Sequence, residues 1–241
     1  IMHVCGTHEH EIVRHGLRRL LPPSLRLTAG PGCPVCITPA SAILTAIGLA
    51  GLAEAPILCT YGDMFKVPAQ GRSLANARAE GADVRIVYGP REAVRVAQEN
   101  PDRWVVFFSI GFETTAAPVA ALVEAGLPEN LLLYCCHRYV PAAVEALAAG
   151  AKGDFAGFLL PGHASVITGT RAYDFLAEQY SIPSAVTGFE PVDILAGVVS
   201  ILRQLAAGTS VAANCYGRAV QPNGNAEALA ALGRVFLCKD A

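Results

Sequence analysis

The sequence is poor in the features that mark several protein classes. Charged residues make up 16% of the 241, the formal net charge is −2, and Lys and Arg form no block. A nucleic-acid surface, which neutralises phosphates with clustered cations, is therefore not expected. Aromatics are scarce at 7%, with a single Trp, so stacking platforms for bases are few. Long apolar runs are missing too. Each is interrupted by Gly, Pro or charge and falls short of the roughly 20 residues of a membrane helix. No targeting segment is visible, and the chain opens at Ile1-Met2-His3 in what reads as mid-strand, so its natural start is expected further upstream. Eight cysteines in a chain of this length are too sparse and too unevenly placed for a secreted disulfide scaffold.

What is present is apolar. Hydrophobic residues reach 53%, which excludes disorder and is enough for one large α/β domain or two smaller lobes. Short apolar runs alternate with amphipathic ones. Strands are predicted over residues 2–5, 25–28, 57–60, 84–88, 104–110, 131–135, 155–160 and 184–187. Helices are predicted near 9–21, 39–52, 73–80, 91–100, 115–125, 141–149, 171–179 and 192–207. Strand-then-helix repetition with continuously apolar strands implies parallel sheets covered on both faces. Two open α/β lobes are preferred to a barrel. The Asn100-Pro101-Asp102 turn is the expected boundary, giving a first lobe over residues 1–100 and a second over 101–241.

The segments after the strands carry the chemistry. They are Cys5-Gly6-Thr7-His8-Glu9-His10, Gly30-Pro31-Gly32-Cys33-Pro34-Val35-Cys36, Gly111-Phe112-Glu113-Thr114-Thr115, Pro161-Gly162-His163-Ala164-Ser165 and Gly188-Phe189-Glu190-Pro191. In parallel sheets the carboxyl ends of the strands share one side, where ligands bind. These segments are therefore expected on one rim, forming a single cleft.

Cys5 falls where a strand gives way to a helix, with Thr7 as an N-cap, and a helix start favours the thiolate that binds metal or attacks sulfur. His8 and His10 add borderline donors suited to iron or zinc. The bland alternative is a capping turn with exposed histidines. Cys33 and Cys36 form a C-x-x-C ahead of a helix expected to start at Thr38-Pro39, a spacing that suits a reversible disulfide or two ligands to one metal. Glu113, Thr114, His163 and Ser165 follow glycines (Gly111, Gly162) that permit close backbone approach to a ligand, against a plain N-capping role. Glu190 before Pro191 reads as a first-turn carboxylate. Asp63 and His137 are noted for rim position alone. Cys59, Cys135, Cys215 and Cys238 sit in or beside apolar runs and read as small buried hydrophobes, with Cys136 less settled because it adjoins His137. His3 reads as a strand residue and His15 as a helix-surface one. In a chain without export signals this cysteine usage reads as metal or redox chemistry in a reducing cytoplasm.

The ordered set C-G-T-H-E-H, G-P-G-C-P-V-C, G-F-E-T-T, P-G-H-A-S and G-F-E-P, together with Asn214-x-Tyr216-x-Arg218, closely resembles the HypD family of [NiFe]-hydrogenase maturation factors over almost the whole chain. The resemblance implies an assembly scaffold with redox thiols rather than a conventional enzyme. A small HypC-type partner helps hold iron while cyanide, supplied by a HypE-type partner, and carbon monoxide are attached, and the finished Fe(CN)2CO unit passes to the hydrogenase. The family's functional cysteine falls at Cys5 with His8 beside it, and its thiol pair at Cys33 and Cys36. Gly111, Glu113, Thr114, Gly162, His163 and Glu190 belong to its motifs. The family also carries a third lobe with a [4Fe-4S] cluster. Here only Cys238 follows Cys215, so the cluster ligands are missing, and a trimmed chain is expected. Two other readings are a thiol–disulfide oxidoreductase using only Cys33 and Cys36, and a zinc-bound interaction module.

Overall fold

The computed structural model describes residues 1–150 and 155–238. The chain divides into two compact units, one of residues 1–33 and 139–230, the other of 34–138 and 231–241. Every strand pairing is parallel, as continuously apolar strands joined by helices require.

The first unit begins with β1 (Met2–His3), α1 (Gly6–Arg14) and β2 (Thr28–Ala29). α1 starts at Gly6, with Cys5 rather than Thr7 in the capping position, and ends before Gly16, whose φ of 61° stops the helix well short of residue 21.

The chain then builds the second unit from α2 (Ala40–Ala50), β3 (Ile57–Tyr61), α3 (Gly62–Phe65), α4 (Leu74–Ala79), β4 (Val84–Val87), α5 (Pro90–Glu99), β5 (Val105–Gly111), α6 (Glu113–Ala125) and β6 (Leu131–His137). Its sheet runs β4-β3-β5-β6. One face packs Leu58, Val106 and Phe108 against Ile43, Ala46, Ile47 and Leu74. The other packs Ile57, Val105 and Phe107 against Ala93, Ala97 and Val119. At the head of α4, Ser73 and Asn76 form a reciprocal capping box. α2 begins one residue later than expected. Pro39 is its cap, and the Thr38 hydroxyl donates back to the Pro34 carbonyl at 2.8 Å instead of capping the helix.

Returning to the first unit, the chain adds α7 (Val140–Gly150), β7 (Phe158–Pro161), α8 (Gly162–Thr168), α9 (Phe175–Glu178), β8 (Ser184–Thr187), α10 (Pro191–Ala207) and β9 (Ala212–Asn214). Helix α11 (Ala226–Val235) then leads back into the second unit. The first unit's sheet runs β2-β1-β7-β8-β9, with a core of Ile1, Ile12, Leu17, Leu27, Leu159, Ile194, Val198 and Ile201. α10 opens on Pro191 and closes on Gly208 in the left-handed region, the asymmetry that fixed φ at one end and freedom at the other produce.

Two sequence readings differ from this architecture. The expected boundary at residues 100–101 falls inside the second unit, between α5 and β5, and β5 pairs with β3. The lobes are therefore not consecutive halves, because β1 and β2 join a sheet whose remaining strands come more than 120 residues later. Strand–helix alternation reads the same whichever edge of a sheet the next strand joins, or whichever sheet. The strand-like 235–237 segment is the end of α11 and irregular chain beyond it. β9 and α8, unforeseen, complete the first unit.

Candidate functional site

Because the first unit's strands are parallel, the segments after β1, β2, β7, β8 and β9 leave one edge of its sheet. Cys5 and His8, Cys33, His163, Phe189 and Glu190, and Tyr216 and Arg218 all follow strand ends there. The Gly111–Thr115 segment and Cys36 belong to the second unit. The Cys5, Cys33, His163 and Glu190 segments thus follow strands of one sheet, and the Gly111–Thr115 segment follows a strand of the other.

The loops bearing Cys5 and Cys33 are held together by backbone. Gly6 N–H donates to the Gly32 carbonyl at 2.8 Å. Gly32 lies so close to Val4 and Cys5 that a Cβ there would strike their backbone atoms, which only glycine avoids. Both cysteines are half-buried, Cys36 is exposed, and all three carry thiols. Burial pushes the Cys5 thiol up, offset in part by the His8 and Thr7 N–H groups at the start of α1, while nearby Cys33 adds to the rise. The helix start was expected to favour thiolate. Desolvation outweighs it and holds the thiol above its ordinary value.

His8 is fully buried on α1. Its Nε2 lies 2.9 Å from the Gly188 carbonyl and 3.0 Å from the Thr187 hydroxyl, both at the end of β8. A carbonyl only accepts, so Nε2 carries the proton and Nδ1 keeps its lone pair. Nδ1 is buried and has no hydrogen-bond partner among the described residues. Burial drives the imidazole down to about 4, leaving a neutral nitrogen ready to donate. The Phe189 ring stands between two histidines, its centroid 5.2 Å from His8 and 4.0 Å from His163. His163 itself is exposed, and partial desolvation lowers its pKa. The next motif residue, Glu9, accepts a two-pronged contact from Arg18 at 3.1 and 2.6 Å and stands 2.8 Å from buried His3.

The Gly188 turn that holds His8 is itself braced. A Cβ on Gly188 would collide with Asp193 Oδ2 and the Tyr216 ring, and the same ring lies against Gly162. Arg218 grips Asp193 at 2.8 and 2.5 Å and lies 4.5 Å over Tyr216. This arginine holds the Asp193 carboxyl well below the usual carboxylate range. Asp193, Thr187 and Phe189 were not singled out from sequence. The Gly188-Phe189-Glu190-Pro191 segment and the Asn214-x-Tyr216-x-Arg218 pattern were the signals that this corner matters.

Other expected site residues lie on or at the caps of the helices that follow the strands. Glu113 is buried in the first turn of α6 and Thr114 beside it is exposed, both in the second unit. The Ser165 hydroxyl donates to the carbonyl of Pro161, the residue before α8, at 2.7 Å. Glu190 is exposed at the cap of α10, and His10 is exposed on α1. Among the described residues no three of His, Cys, Asp and Glu converge on one metal position. No helix among the described residues is long and apolar enough to cross a membrane.

The family model HypD, described as the hydrogenase formation hypA family, matches residues 1–241. The chain belongs to the HypD family. It is similar to the hydrogenase maturation factor HypD of Azotobacter vinelandii, with 46% identity covering 98% of this chain and 64% of the relative. It is likewise similar to the HypD of Escherichia coli strain K12, at 43% identity over 98% of this chain and 64% of that protein. The Rhodobacter capsulatus HypD is 42% identical over 98% and 63%. The chain thus spans just under two thirds of the length of these HypD proteins.

Proposed function

We propose that this chain is the thiol-bearing part of a hydrogenase maturation scaffold, on which iron is held as cargo while cyanide and carbon monoxide are attached. The observation that carries the reading is the approach of the Cys5 and Cys33 loops, joined through the Gly6–Gly32 backbone contact. It is supported by the neutral His8 three residues beyond Cys5, whose buried Nδ1 has no hydrogen-bond partner among the described residues, although among those residues no three such donors converge on one metal position. Thiolate and imidazole suit iron, whereas hard oxygen ligands would suit magnesium or calcium.

Each residue has a task on this reading. Gly188 and Thr187 fix the His8 tautomer, as a carbonyl behind a ligating imidazole does. The Cys5 thiol, raised by burial, loses its proton to solvent as iron arrives. With Cys5 and His8 as this chain's donors, positions stay open for the diatomic ligands, and retention falls to a further thiolate from a HypC-type partner; a HypE-type protein supplies cyanide. Cys33 and the exposed Cys36 cycle between dithiol and disulfide. The setting is a reducing cytoplasm.

Protein purified anaerobically with the small partner should show cyanide and carbonyl infrared bands that vanish in Cys5→Ala while the fold persists. Bands surviving that substitution would overturn Cys5 as the ligand. Amide exchange on adding the partner should slow around Cys5, Cys33 and Gly162-His163. Protection confined to the helix faces would overturn the shared-iron arrangement.

A further inference from the structure

The second unit carries a thiol–imidazole pair that the scaffold reading does not use. On β6, Cys135 and His137 are two residues apart and share one face of the strand. The Cys135 sulfur lies 3.2 Å from His137 Nδ1. On β5, directly opposite Cys135 in the register, Ser109 is fully buried and its hydroxyl lies 2.9 Å from His137 Nε2. The Phe236 ring packs edge-on against the imidazole, with centroids 5.3 Å apart. Cys135, which the apolar run around it marks as a buried hydrophobe, is instead exposed.

From this geometry we propose that Cys135 and His137 form a second metal site, a two-ligand chelate for a thiophilic divalent ion of the zinc type.

Chelation by C-x-H on one strand face needs three things. The first is bite. An ion about 2.3 Å from sulfur and about 2.0 Å from nitrogen spans a 3.2 Å gap at roughly a right angle, and opening that angle to tetrahedral moves the donors by a few tenths of an ångström. The second is a lone pair on the correct nitrogen. Burial pushes His137 down to about 4 and raises the Cys135 thiol, so both groups are neutral, and chelation takes the tautomer that leaves Nδ1 bare toward the sulfur. Nε2–H then donates to Ser109, which serves as the outer-shell partner that fixes tautomer and ring plane. The third is access. Cys135 is an exposed residue on β6, an edge strand of the four-stranded sheet, so water can fill the remaining positions. Binding forms one metal–sulfur and one metal–nitrogen bond and releases the thiol proton to solvent. No electron moves.

Cobalt(II) is a suitable probe, because thiolate ligation gives it a charge-transfer absorption. The full chain carrying Cys5→Ala, Cys33→Ala and Cys36→Ala removes the donors of the proposed iron site, so this test stands or falls separately from that reading. Titration of that protein should give one cobalt per chain with the thiolate band, displaced by zinc. Cys135→Ser should abolish the band, and His137→Gln should weaken binding by at least about tenfold. Ser109→Ala, which removes no ligand, should weaken it by about 10–100-fold. Absence of the band in the triple variant, or its survival in Cys135→Ser, overturns the site. Unchanged affinity in Ser109→Ala overturns the role given to Ser109.

Discussion

The imidazole of His8 and the carbonyl of Gly188 stand 2.9 Å apart although 180 residues separate them in the chain. This single contact decides which ring nitrogen of His8 is available to a metal. It depends in turn on a turn braced by Asp193, Tyr216 and Arg218.

Arg218→Ala should therefore act at a distance. Without the guanidinium, Asp193 loses its partner and Tyr216 its cover, and the Gly188 carbonyl is no longer fixed. Nitrogen chemical shifts of the His8 ring should move from a single Nε2–H tautomer toward a mixture, with partial recovery in Arg218→Lys. A His8 spectrum identical to that of the unsubstituted protein would show that the brace does not reach the histidine.

Gly32→Ala tests the backbone seam between the two cysteine loops. The added methyl group lands on the Val4–Cys5 backbone, which has no flexible side chain to yield. A loss of about 1–3 kcal/mol is expected from such overpacking, read as a lower urea midpoint at unchanged slope. A bifunctional thiol reagent should also lose its ability to bridge Cys5 and Cys33. Neither effect would appear if the loops met through side chains alone.

Mild oxidation of the metal-free protein should remove two accessible thiols, and Cys36→Ser should prevent that loss. The exposed Cys36 makes it the sulfur reached first by a small disulfide. Thiols that stay blocked until a chelator is added would indicate bound zinc at the pair instead of redox cycling.

Asp83 sets an acid limit on the second unit. Arg85 and Arg103 contact its carboxylate, each at 2.9 Å, and hold it below the usual range, with Arg85 the larger influence. A carboxyl depressed in the folded state contributes stability above its unfolded value of about 4, and that contribution is lost as the pH falls through the folded value. Solvent screens this partly exposed cluster, so Asp83→Asn should cost about 1 kcal/mol near neutrality. The difference between the two proteins should close below about pH 4 in denaturant titrations. A constant difference across that range would mean that packing, not charge, accounts for the loss.

Much of the local structure was legible from residue order. Apolar runs of strand length with helix-period segments between them required parallel sheets, and six of the predicted strands lie within a residue or two of β1, β3, β4, β5, β6 and β8. The helix predicted near 192–207 matches α10. The Cys5, Cys33 and His163 segments were placed at strand ends by the same reasoning.

Register and local propensity act over a few residues, so the sequence alone determined the elements, their parallel sense and the donor types held at their ends. Which strands share a sheet is a long-range matter, decided by burial of whole faces, and only the tertiary structure assigned the strand before Gly111–Thr115 and the strand before Cys5 to different sheets. Protonation followed the same division. The position of Cys5 at a helix start was readable and argued for thiolate, yet the desolvation that raises it comes from the packing around it. Cys135 shows the converse, since its apolar neighbours in sequence argued for burial, while its place on an edge strand left the residue exposed beside His137.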